Sequence, residues 1–191
     1  MFDCYRMAAS QAELRLKFAI VVVREPDRHP PHELTANEPA YVVRNFGGPI
    51  LDVMSWGFPP TDGKGPVQLI GNIMLPFWRS ALEQPDRRCL VPVTQFCERG
   101  RLRDGDGTVE SHWLGISSQP IFALAGVWRR VLQGTVFAIL TTHPNALLDR
   151  VSAASMPLIL HEKDHDLWLT GSGDEARALA QPYPSDLMAV E

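Results

Sequence analysis

RRCLVPVTQFCERG, residues 87–100, is the stretch whose reading decides the fold. At period two it places Leu90, Thr94, Phe96 and Glu98 on one face of an extended strand and Cys89, Val91, Val93 and Cys97 on the other. The acid that closes it can be read in two ways. As an exposed strand end, Glu98 pairs with Arg99 or Arg101; as a group partly buried beside Phe96, its pKa rises into the range useful for a general acid.

Upstream, PFWRSAL at 76–82 predicts a short helix, because a first-turn proline sacrifices no intrahelical donor. YVVR at 41–44, NFGG at 45–48 and ILDVMSW at 50–56 read as strand, turn and returning strand. Ser10 and Glu13 have capping-box spacing, and Leu14, Phe18 and Val21 recur at helical intervals, which predicts a helix from Gln11 to Val22. The four prolines of 24–39 make that segment a loop. Downstream, RDGDG at 103–107 predicts a turn, and VESHWLGI (109–116), IFALAGVW (121–128) and TVFAILTT (135–142) read as further strands. A short helix near Asn145, the apolar PLIL at 157–160, a helix over 174–180 and a Pro-rich end complete the chain. The expectation is an α+β fold, a curled, barrel-like antiparallel sheet with flanking helices, formed by one domain over residues 1–191.

The 191 residues are 45% hydrophobic and 21% charged, which suits a globular protein and excludes disorder. A net charge of -4 argues against a coat of cations for indiscriminate nucleic-acid binding, yet the charge is unevenly spread. Between Pro76 and Arg103 six arginines face three acids, whereas from Glu162 to Glu191 seven acids face Lys163 and Arg177. The first region could meet phosphate; both could equally be solvated faces. Cys4, Cys89 and Cys97 have no metal-ligand spacing and leave one unpaired in any disulfide scheme. No stretch is long enough to span a membrane, so the expectation is a cytoplasmic protein without metal, cofactor or membrane partner.

Five blocks, in order, resemble the SRAP family, the SOS response-associated peptidase-like proteins that process abasic sites. They are VVRNFGGPILDVMSWGFPP, NIMLPFWRSALEQPDRRCLVPVTQFCE, FALAGVW, AILTTHPNA and MPLIL, and the likeness runs from Tyr5 to the C-terminus. The resemblance implies recognition of abasic sites in single-stranded DNA. It also implies a covalent crosslink: an N-terminal cysteine, exposed by loss of methionine, closes a thiazolidine with the ring-opened aldehyde. Asparagine, glutamate and histidine assist.

Carried over, Glu98 matches the glutamate and Asn72 the asparagine, although Met74 stands where the family has arginine. Phe2 stands at the nucleophilic cysteine and Ser152 at the histidine, so the set is incomplete and the chain reads as a degenerate member. Two routes to covalent chemistry remain. The α-amine of Met1, with a pKa near 8 for such groups, can form a reversible Schiff base; or trimming to Cys4 restores an aminothiol. The same resemblance makes Arg44, Arg79, Arg87, Arg88 and Trp56 candidates for a single-stranded DNA groove, against solvated or structural charges and a core tryptophan. His143 is a candidate imidazole or a surface histidine. Three functions stay open: an abasic-site enzyme, a lesion binder without covalent chemistry, and a repurposed domain with another partner.

Overall fold

The stretch 87–100 is two strands, not one. The computed structural model, which describes residues 2–60, 67–103, 109–150 and 153–191, breaks it at Thr94 and sends its halves into different sheets. In chain order the strands are β1 (Phe2–Arg6), β2 (Val22–Val23), β3 (Glu33–Leu34), β4 (Pro39–Asn45), β5 (Pro49–Trp56), β6 (Ile70–Asn72) and β7 (Arg88–Val93). They continue as β8 (Gln95–Arg103), β9 (Val109–Ile116), β10 (Phe122–Val131), β11 (Gly134–Thr142), β12 (Met156–Pro157), β13 (Ile159–Leu160) and β14 (Met188–Val190). The α-helices are α1 (Gln11–Lys17), α2 (Pro76–Leu82), α3 (Ala146–Arg150), α4 (His165–Thr170) and α5 (Gly173–Ala178).

Strands β11, β10, β7, β4 and β5 pair in that order, and β5 pairs back onto β11 in parallel through Ser55–Val136 and Trp56–Phe137. The sheet is thereby closed into a five-stranded barrel, which removes its free edges at that point. Strands β2, β6, β12 and β13 extend it. A second, antiparallel sheet, ordered β14–β9–β8–β1–β3, packs onto the barrel where Phe2 and Tyr5 of β1 meet Trp56 of β5. The α+β, barrel-like expectation holds.

Thr94 makes the crossing between the sheets. Its backbone N–H and its Oγ1 both donate to the Arg6 carbonyl, at 2.8 and 3.0 Å, and its Oγ1 accepts from the Ala8 N–H at 3.4 Å. The end of β1 therefore fixes the corner. All six residues of β7 are buried, so the alternation expected on this half is absent: one side fills the barrel and the other lies under α4, whose Trp168 donates its Nε1–H to the Cys89 carbonyl at 2.9 Å.

Helix α1 starts as expected, with Ser10 Oγ accepting from the Glu13 N–H at 3.3 Å and Glu13 accepting from the Ser10 N–H at 2.8 Å. It ends at Lys17, short of Val22. Ala19 takes a left-handed φ of 48°, and the β-branched residues after it leave for β2, where such side chains fit better. The β4–β5 hairpin and α2 fall where expected, α5 begins at a second capping box formed by Ser172 and Glu175, and the turn at 103–107 lies, beyond Arg103, outside the described residues. No helix among the described residues is long and apolar enough to cross a membrane.

Cys4, Cys89 and Cys97 are all buried and reduced, and burial pushes the Cys89 thiol well above its usual pKa. An aromatic disulfide reagent at pH 8 is expected to find no fast-reacting thiol in the native protein and all three cysteines after unfolding in guanidinium. A stoichiometric fast phase in native buffer would show that at least one of these strands opens readily.

Candidate active site

Glu98 occupies the middle strand of the second sheet, with Phe2 of β1 as its Cα partner on one side and His112 of β9 on the other. Directly paired residues project from the same face with Cβ atoms about 4.5–5.5 Å apart, so Phe2, Glu98 and His112 form a row across three strands. Glu98 is 1% exposed and His112 half-buried. Burial raises the Glu98 carboxyl pKa above its usual range; a hydrogen bond and charge from the amino terminus offset part of that rise, and the charge of Asp3 adds to it. Of the two readings of Glu98, the buried acid is the one found.

An aromatic floor supports the row. Phe2, 3% exposed, stands 5.6 Å from Trp56 and 5.8 Å from Phe96 by ring centroids, and Tyr5 stands 5.0 Å from Trp56. The register shifts between Phe2 and Cys4: Phe2 pairs with Glu98, whereas Cys4 pairs with Cys97. This bulge keeps Phe2 on the face of Glu98 and turns Cys4 to the opposite face. Trimming the chain to Cys4 would thus lose the Phe2 anchor and leave the thiol on the wrong side of the sheet. The geometry favours the register in which residue 2, not residue 4, meets the acid.

The other candidate residues scatter. Trp56 is fully buried, donates its Nε1–H to the Leu69 carbonyl at 2.9 Å and is covered by Phe2 and Tyr5; it has no open ring face for a base. Arg88 is also fully buried, donates through Nη2 to the Gly171 carbonyl and packs beside Trp168, so it is a structural cation. Burial lowers its pKa, and the charge of Glu175 opposes that effect. Arg44 pairs with Asp52 at 2.8 Å and lies with Arg87 against the Trp128 ring. Arg44 pairs with Ile50 across the hairpin, six residues from Trp56 along β5, a separation of about 20 Å. A common groove over Glu98 does not include it. Arg79 is exposed on α2 and paired with Glu83 at 3.0 Å.

Asn72 ends β6 and is exposed; its Oδ1 accepts from the Met74 N–H at 2.9 Å, which shapes the turn into α2. Through Thr141 of β11 it is aligned with Pro157 of β12, so the Asn72, Thr-Thr and Met-Pro blocks do converge on adjacent strands. His143 is exposed, and Ser152 lies outside the described residues. Sequence reasoning passed over His112. The register shifts between Arg99 and Arg103, so the alternation of the two strands did not give this pairing.

Seventeen chains of solved structure match this one. A protein of Bacteroides thetaiotaomicron superimposes with a TM-score of 0.81 at 21% identity, covering 98% of this chain and 90% of its own. A protein of Bordetella bronchiseptica gives a TM-score of 0.80 at 18% identity over 98% and 97% of the two chains. A phage-related protein of the same bacterium gives 0.72 at 14% identity over 100% and 92%. At these identities the likeness establishes the fold. None of the curated proteins matches the chain. The sequence model of SOS response associated peptidase covers residues 3–191, and the chain belongs to that family, SRAP.

Proposed function

We propose that this SRAP protein recognises abasic sites in single-stranded DNA and joins them reversibly through an imine, with Glu98 handling the proton. The observation that supports this reading is the pairing of Phe2, at the start of the chain, with a carboxyl whose pKa burial raises. A chain that begins at Met1 carries its α-amine one residue from that acid. An α-amine with a pKa near 8 is partly unprotonated at neutral pH. It adds to the aldehyde of the ring-opened sugar to give a carbinolamine. Glu98 donates a proton to the carbinolamine hydroxyl, which leaves as water, and the nitrogen lone pair forms the C=N bond of an iminium. No thiol stands on the same residue as the amine, so the link stops at this hydrolysable stage. The reaction suits the reducing cytoplasm, where the three cysteines stay thiols.

The test is incubation with single-stranded DNA carrying one abasic site, with and without borohydride, read on a denaturing gel beside the intact mass of the protein. The expected result is an adduct only in the borohydride lanes, from protein whose mass includes Met1. A heat-stable adduct without reductant would overturn the imine in favour of an aminothiol. Salt-sensitive binding with no adduct in either lane would overturn the covalent step and leave a lesion binder.

A further inference from the structure

A buried acid that turns over protons needs a route to water. Glu98 is 1% exposed, and its neighbours on the floor of the site, Phe2, Phe96 and Trp56, cannot carry a proton. Its cross-strand partner on the β9 side is His112, which is half-buried and so open to solvent. Directly opposed residues have Cβ atoms about 4.5–5.5 Å apart, a separation that a carboxyl and an imidazole can bridge directly or through one water. Imidazole is the side chain whose ordinary titration falls near neutrality.

We infer that His112 is the proton relay of this site, acting through Glu98 rather than on the DNA. After Glu98 has given its proton to the departing hydroxyl, the imidazolium of His112 returns one to the carboxylate and is itself reloaded from water. For hydrolysis of the imine the same steps run backwards. Among the described residues, Asp3 and the amino terminus lie next to the acid on the β1 side. Arg6 stacks on Trp113, which projects from the face opposite His112, and so does not enter the row.

The inference rests on the imine reading, so its test has one arm that needs no DNA. In that arm the His112 imidazole is titrated by NMR in the wild type and in Glu98→Gln. The expected result is a lower midpoint in the variant, because the imidazolium loses a carboxylate neighbour. An unmoved midpoint would sink the relay whatever the DNA lanes show. In the second arm His112→Gln is expected to slow formation of the trapped adduct on the order of 100-fold, with DNA affinity unchanged and the neutral limb of the pH–rate profile lost. Free imidazole is expected to restore part of the rate of His112→Ala. Wild-type rate in His112→Gln, or no rescue by imidazole, would overturn the relay; absence of any adduct from the wild type would overturn the imine and leave the titration to decide.

Discussion

Glu98→Gln is expected to lower the rate of borohydride-trapped adduct formation by about 100-fold or more while making the protein more stable at pH 8. The two effects share a cause. Glutamine fills the same space between Phe2 and His112 but has no proton to give. Burial raises the Glu98 pKa in the folded chain above its unfolded value, so the folded state holds a proton that the unfolded state has released. That contribution to stability is complete below the unfolded pKa, about 4.3 for glutamate, and is lost as pH rises through the folded value. As pH rises through the folded value the wild type comes to bury a charge that the variant lacks. Each kcal/mol of relief corresponds to about 2–4 °C in Tm for a chain of this size. The gain should shrink towards zero near pH 4. Thermal melts at the two pH values, with the trapping assay alongside, check both halves. A variant less stable than the wild type at pH 8, or one that still forms adduct at the wild-type rate, would show that Glu98 is held as a paired anion and not as an acid.

The fold was legible where the signals were local. The β4–β5 hairpin needed only its turn residues, α2 its first-turn proline, and the start of α1 its capping box, each contained within a few positions. Phe96 and Glu98 share a face as expected, because both lie beyond the break at Thr94. The break itself was invisible: period two runs on through Thr94, and what turns the chain there is a pair of hydrogen bonds to Arg6, 88 residues away. The surroundings of the arginines were invisible for the same reason. Arg88 and Arg79 look alike in sequence, yet one donates to a carbonyl 83 residues distant in a closed interior and the other stands in water. Trp56 was likewise settled by Phe2 and Tyr5, which reach it from the first strand. His112 was hidden in the same way: from the loop-proximal pair Arg103–Val109 a regular ladder would set Leu114 opposite Glu98, and the irregularity after Arg99 brings His112 there instead.

Phe2→Cys is expected to change the chemistry from reversible to permanent. The wild-type ring lies beside Glu98, packed 5.6 Å from Trp56 and 5.8 Å from Phe96. Replacing it opens a cavity lined by those two rings and the acid. The cost is the lost burial of most of an aromatic side chain, about 3 kcal/mol, read as a lower Tm. The small side chain also permits removal of Met1, which Phe2 hinders, and leaves amine and thiol on one residue on the Glu98 face of the sheet. The amine and the aldehyde then give the iminium and water; the thiolate adds to the iminium carbon, its electron pair forming the C–S bond as the C=N electrons return to nitrogen. A five-membered ring closes, with no oxidant or reductant needed. The expected adduct survives heating without borohydride, in contrast to that of the unaltered protein. If intact mass shows the new terminus and the melt shows a folded protein, yet no heat-stable adduct forms, then Phe2 is not standing in the position of a nucleophile, and the row of Phe2, Glu98 and His112 serves the core of the second sheet alone.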